Sequence, residues 1–265
     1  MIELVALDAD DTLWHNEPLF TSVRDQFCAM LERYQPDGVA NDWLDGVETR
    51  NLQHFGYGVK GFVLSMIETA IEMTDGRLEA SDVRTIIEWG REMLGSPVEL
   101  LDGVCEVVET LAQAFPLILL TKGDLLHQET KLARSGLGHH FKGIEIVSEK
   151  DARIYRQVMA RYAVSPDRFV MVGNSLRSDI LPVIEAGGHA VYVPYEVTWV
   201  HERVAPEQLE SLQYHEIASI RELPLLLSGL LPPDGGTHTS AEAEHQAGRS
   251  ETGSQHPAGD RKLPR

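Results

Sequence analysis

Ile2–Leu7, IELVAL, runs without a break into Asp8-Ala9-Asp10-Asp11-Thr12, and this junction decides how the rest of the chain is read. A short, nearly continuous apolar run that stops at acids is the pattern of a strand buried on both faces in a parallel sheet. Ligands of such sheets bind beyond the carboxyl ends of the strands, so the carboxylates leaving this strand point into the expected crevice. Crowded acids repel one another, and a divalent cation with oxygen ligands, magnesium in particular, relieves that repulsion. Two plainer readings compete. Aspartates after a strand commonly cap a turn or a helix. A calcium loop beginning at Asp8 needs Gly at its sixth position and Glu at its twelfth; Leu13 and Leu19 stand there and exclude it.

Working outward, similar apolar runs recur at Leu117–Leu120, Ile144–Val147, Phe169–Val172 and Ala190–Val193. Helix-like segments, including Leu125–Ser135, Ala152–Tyr162 and Asp179–Ala186, separate the later ones. This alternation predicts an α/β fold, a Rossmann-like parallel sheet with crossover helices. The stretch from about Glu17 to Gly95 differs: Phe20, Val23, Phe27, Met30 and Leu31, then Phe62, Met66, Ile67 and Ile71, then Val83, Ile86, Ile87, Met93 and Leu94 fall at helical spacing. It reads as an all-helical insertion, with joints near His15–Pro18 and Gly95–Asp102, lying over the carboxyl ends of the strands. The expected division is a discontinuous core of 1–16 and 96–231, a helical domain of 17–95, and a tail of 232–265. The tail carries one large apolar residue, Leu263, too little to offset the entropy of ordering, and is expected to be disordered.

The chain of 265 residues has 23 basic and 41 acidic side chains, a net charge of −18. That field repels polyanions and argues against nucleic acid or anionic lipid as partner. No apolar run reaches the ~18 residues of a spanning helix, the richest being Leu223–Leu231. The N-terminus reads as a strand rather than a leader. Cys28 and Cys105 are the only cysteines, which excludes a disulfide framework or zinc cluster and fits a reducing cytoplasm. Adjacent His139 and His140 lack metal-ligand spacing, and no dinucleotide fingerprint or phosphate-cradling P-loop sequence is present. Nothing in the sequence speaks to subunit number.

VALDADDTLW resembles the first signature of the haloacid dehalogenase superfamily, a hydrophobic strand followed by Asp-x-Asp-x-Thr. Three further signatures follow in order. LILLT ends at Thr121, followed by Lys122-Gly123-Asp124; Lys150 lies in VSEKDARIY; and FVMV leads into Gly173-Asn174-Ser175-Leu176-Arg177-Ser178-Asp179. The fourth departs from the family pattern, because Asn174 stands where an Asp is commonest. An amide oxygen still ligates magnesium but brings no charge.

The resemblance covers residues 1 to about 200 and implies that the helical insertion is a C1-type cap. It implies a magnesium-dependent phosphatase acting on a small phosphorylated metabolite. Asp8 would be the nucleophile, Asp10 the general acid and base, and Thr121 and Lys150 the groups that hold the transferring phosphoryl. Magnesium would be held by Asp8, the Asp10 carbonyl, Asn174 and Asp179. Thr12, Lys122 and Gly123 are further candidates for substrate contact. So are Trp14, unless it is core, and Tyr57 and Lys60 of the glycine-punctuated segment Phe55–Phe62, unless that segment is a plain helix connector. Rival readings are a 2-haloacid dehalogenase, for which the second acid Asp10 is superfluous, a phosphomutase, and a non-catalytic protein that kept the fold.

Overall fold

The computed structural model describes residues 1–35, 38–197, 199, 202, 204–205, 208–209 and 212–230. The expected tail and its placement lie outside them. Six strands form one parallel sheet: β1 (Leu4–Leu7), β2 (Leu117–Lys122), β3 (Phe141–Val147), β4 (Phe169–Gly173), β5 (His189–Tyr192) and β6 (His215–Glu216). Their spatial order is β3-β2-β1-β4-β5-β6. The chain builds outward from β1 through β2 to β3, then returns to the other side of β1 with β4. The order therefore reverses at β1, which makes its carboxyl end the place where an open parallel sheet leaves a crevice. Asp8 is the next residue.

All four residues of β1 are buried, and alternation sends them to opposite faces. Val5 and Leu7 join a cluster with Val108, Leu111, Leu223 and Leu227, from helices α5 (Val104–Ala114) and α9 (Leu223–Gly229). Leu4 and Ala6 join Tyr155, Met159, Ile180 and Val183 on the opposite face, from α7 (Ala152–Arg161), a π-helical turn (Leu176–Ile180) and α8 (Leu181–Glu185). Helix α6 (Leu125–Ser135) follows β2 and has the predicted limits. The two-residue β6 was not anticipated; both its residues are exposed and offer no apolar run.

Four helices occupy the inserted stretch: α1 (Glu17–Leu31), α2 (Ala40–Phe55), α3 (Val59–Met73) and α4 (Ala80–Gly95). They enclose an apolar cluster of their own, with Phe27, Leu31, Leu44, Met66, Ile86 and Met93 almost wholly buried. Ile71 and Ile87, expected on the apolar faces, are instead exposed. The outgoing and returning connections run side by side. His15 N–H donates to the Glu99 carbonyl (3.0 Å) and Leu101 N–H to the Leu13 carbonyl (3.0 Å), with Trp14 bridged antiparallel to Leu100.

Candidate active site

The site grows from the ends of β1, β2 and β4. Asp8 N–H still donates to the Val172 carbonyl (2.9 Å), so the backbone of Asp8 is fixed as an extension of the sheet. The chain then folds into a tight turn, with Leu13 N–H on the Ala9 carbonyl (2.8 Å), Asp11 N–H on the Trp14 carbonyl (2.8 Å) and Asp11 at a φ of 60°. The three acids separate by role. The Asp11 carboxylate accepts from the backbone N–H groups of Asn16 (2.8 Å) and Glu17 (3.1 Å), so it satisfies the open first turn of α1. That is the capping alternative, realised at this one residue of the acidic run.

Asp8 and Asp179 share the ammonium of Lys150. It donates to Asp8 Oδ1 and to Asp179 Oδ1 (2.7 Å), and all three side chains are buried. Burial foremost, reinforced by Asp179 and Asp10, pushes the Asp8 carboxyl above the usual carboxylate range against the pull of Lys150. Burial raises Asp179 likewise. Lys150 is also desolvated, but its two carboxylates outweigh that and strengthen its hold on its proton. Gly173 is required here: a Cβ at that position would lie 2.8 Å from Asp179 Cβ and overlap its carboxylate.

Thr12 lies beneath Asp8, 2% exposed, with its hydroxyl 3.3 Å from Asp8 Oδ2 and accepting from Asn174 N–H (3.1 Å). The end of the Asn174 side chain is 3.3 Å from Asp8 Oδ2 and 3.2 Å from the Asp10 carbonyl oxygen. With its NH₂ turned inward, Asn174 donates to both; with its oxygen turned inward, it adds an amide oxygen to the Asp8 carboxylate and the Asp10 carbonyl, a set of oxygens whose mutual repulsion a cation relieves. One carboxylate, one carbonyl and one amide, completed by water, suit magnesium, so the residues present fit that ion. Among the described residues no three His, Cys, Asp or Glu side chains form a metal cage.

Asp10 faces the cleft with both oxygens engaged. Oδ1 accepts from Trp14 Nε1 (2.7 Å) and Lys131 Nζ (2.5 Å), and Oδ2 from Gln128 Nε2 (2.9 Å). Burial works against the charge, but Lys131, Gln128 and Trp14 hold the carboxyl below the usual range. Thr121 is 1% exposed and lines the same cleft, as do Lys122 and Gly123. Lys122 donates to Ser178 Oγ (2.8 Å) and Glu202 Oε1 (2.5 Å).

From the helical side, the α2–α3 connection reaches down to this floor. Gly58 has a φ of 104°, a backbone conformation that a side chain would strain, and it packs at van der Waals distance against the backbone of Asp124. The Tyr57 ring lies 4.0 Å above Lys122 Nζ, and its hydroxyl donates to Glu149 (2.8 Å). Lys60 is not among the residues lining the cleft but pairs with one that is, Asp124 (2.9 Å). Trp14 is fully buried, reaching the site only through its N–H to Asp10. The structure thus brings Asp8, Asp10, Thr121, Lys122, Gly123, Lys150, Asn174, Asp179 and Tyr57 to one cleft and leaves Thr12, Trp14 and Lys60 off its wall.

Sequence reasoning missed Gln128 and Lys131 on α6, Glu202, and the acids Glu17 and Glu48 that line the same cleft. The only sequence signal for the first pair is that they lie one turn apart on a helix, which ordinarily marks a solvated face.

The profile of the haloacid dehalogenase-like hydrolases matches residues 2–187, well over half the chain, and the chain belongs to that family. Among solved structures it is similar to a haloacid dehalogenase-like family hydrolase from Xanthomonas campestris, with 42% identity, a TM-score of 0.77, and coverage of 86% of this chain and 91% of that one. It is also similar to a phosphoserine phosphatase from Thermus thermophilus, 29% identical over 44% of this chain and 46% of that protein. A glyceraldehyde 3-phosphate phosphatase from Methanothermobacter thermautotrophicus is 28% identical over 44% of this chain and 54% of that protein. The chain thus spans about half the length of these curated relatives. Among the described residues no helix is long and apolar enough to cross a membrane.

Proposed function

We propose that this protein hydrolyses a small phosphate monoester with magnesium, through transient phosphorylation of Asp8, beneath a cap formed by α1–α4. The observation that carries this reading is the convergence at the switch point of the sheet. A carboxylate paired with Lys150 stands there beside a second carboxylate two residues on, with the Asn174 side chain within reach of both Asp8 and the Asp10 carbonyl. The phosphatase relatives support the substrate class.

Phosphoryl transfer demands positioning and charge neutralisation more than elaborate covalent chemistry. Asp8, fixed by the sheet, attacks phosphorus in line and expels the alcohol, forming an acyl phosphate. Lys150 neutralises charge on the transferring group, while the Thr121 hydroxyl, Lys122 and the backbone at Gly123 hold its oxygens. Asp8, the Asp10 carbonyl, Asn174 and Asp179 would hold a magnesium ion, which would supply the positive charge that lets an anionic nucleophile meet an anionic ester. Asp10 protonates the departing oxygen and then takes a proton from the water that hydrolyses the acyl phosphate. As the structure stands, Asp10 is held ionised, the form the second step needs. A phosphate dianion arriving beside it raises its proton affinity and favours the form the first step needs.

The test is a panel of phosphorylated metabolites assayed for magnesium-dependent phosphate release, with Asp8→Asn as the blank. Release by the natural protein and none by the variant is expected. Equal release by both refutes the nucleophile.

A further inference from the structure

Lys131 and Gln128 lie on the buried face of α6, 8% and 3% exposed, where an amphipathic helix ordinarily presents aliphatic side chains. Burying an ammonium costs several kcal/mol unless a partner meets it. The partner of both residues is Asp10. Lys131 Nζ and Trp14 Nε1 share Oδ1, at 2.5 and 2.7 Å, and Gln128 Nε2 takes Oδ2 at 2.9 Å. Donors on both oxygens fix the plane of the carboxylate as well as its position.

Each clamp member has a second anchor on the scaffold. Lys131 donates to Asn16 Oδ1 (2.9 Å), just ahead of α1, and Gln128 donates to the Lys122 carbonyl (2.9 Å), at the end of β2. The Asp10 carboxylate is therefore referenced to the sheet and to the first helix of the insertion at once. The hydrogen bonds of Lys131 go to Asp10 and Asn16 and to none of the groups that hold the phosphoryl, so its influence on the chemistry passes through Asp10, whereas Gln128 also touches the Lys122 backbone.

We propose that Lys131 and Gln128 are positioning residues that hold the Asp10 carboxylate in the orientation proton transfer requires. This rests on the acid and base role assigned to Asp10 above. A carboxylate released from three donors swings out of reach of the ester oxygen, and a misplacement of ~1 Å costs ~10²-fold in rate. The loss is selective: an alkoxide or phenoxide leaves only with a proton, whereas p-nitrophenoxide departs largely without one.

The experiment compares kcat for phenyl phosphate and p-nitrophenyl phosphate, with magnesium, in the full-length protein and in Lys131→Met, Gln128→Leu, Asp10→Asn and the Asp10→Asn/Lys131→Met double variant. Thermal denaturation confirms that each is folded. In Lys131→Met the phenyl-to-nitrophenyl rate ratio is expected to fall ~10-fold or more, in Gln128→Leu by less in the same direction, and in Asp10→Asn at least as far as in Lys131→Met, the span of general acid catalysis being ~10²–10⁴-fold. The double variant matches Asp10→Asn. Equal slowing of both esters by Lys131→Met, or a further loss in the double variant, overturns the proposal. An Asp10→Asn variant with no leaving-group selectivity instead overturns the role of Asp10 itself.

Discussion

Gly173→Ala tests whether the close packing around Asp179 is required for the site. The added methyl would lie 2.8 Å from Asp179 Cβ and overlap the carboxylate, so the side chain must retreat by ~1 Å to reach an ordinary contact of ~3.5–4.0 Å. Asp179 Oδ1 is 2.7 Å from Lys150 Nζ, and Oδ2 accepts from Ser175 N–H at 3.0 Å; a retreat of that size breaks both bonds. Overpacking alone costs ~1–3 kcal/mol. A lost hydrogen bond to a charged group adds ~1.5–3 kcal/mol, and because the two effects share one displacement the expected loss is ~3–5 kcal/mol. At ~2–4 °C per kcal/mol for a protein of this size, the melting temperature falls by roughly 6–20 °C. Gly46→Ala is the control: it lies within α2 with nothing within 4 Å of its Cβ, and should gain ~0.5–1 kcal/mol from helix propensity. Differential scanning calorimetry reads the stability and isothermal titration the magnesium affinity. A Gly173→Ala protein with unchanged melting temperature and unchanged magnesium binding would refute the reasoning.

Three further outcomes follow from the site. Asp8 is a carboxyl whose folded value is raised, from 3.8 to about 7, so its ionisation opposes folding. The penalty is absent at pH values below the ordinary carboxylate range, grows as pH rises toward the folded value and is complete above it. Asp8→Asn should therefore stabilise the metal-free protein at pH 8 relative to its effect at pH 4, as measured by urea denaturation; a relative destabilisation at pH 8 would contradict the electrostatics. Asn174→Asp adds a charge at the magnesium position and should tighten binding ~10-fold by calorimetric titration, with equal affinity the contrary result. Tyr57→Ala removes the ring above Lys122 and should raise KM with a smaller change in kcat, the result expected if this part of the cleft lining binds substrate; a pure kcat effect would contradict a binding role.

The sheet was legible because strands buried on both faces, β1, β2 and β4, read as unbroken apolar runs; β3, an edge strand largely half-buried or exposed, was legible only over Ile144–Val147. Strand β6 was not, since two exposed residues carry no periodicity. The helical insertion was legible from its spacing. Periodicity assigns a face but not its depth, and for that reason Ile71 and Ile87 were expected inside and lie outside. Asp8 and Asp10 were legible as acids leaving a strand, whereas Thr121, Lys150 and Asp179 were placed beside them by the ordered signatures of the resemblance. The Asp10 clamp was not legible: Gln128 and Lys131 are 118 and 121 residues from their partner, and polar residues at helical spacing look like a solvated face until the fold buries them. Nor does spacing tell which of three adjacent acids caps a helix. Asp11 is identified only by the N–H groups of Asn16 and Glu17 that it accepts.

The account depends on Asp8 carrying the phosphoryl group. Its most direct test is to quench the protein during turnover with magnesium and substrate, reduce it with borohydride, and map residues 1–24 by peptide mass spectrometry. An acyl phosphate on Asp8 is converted to homoserine at that position alone. Sustained phosphate release with residue 8 unmodified, or reduction at another acid, would contradict it.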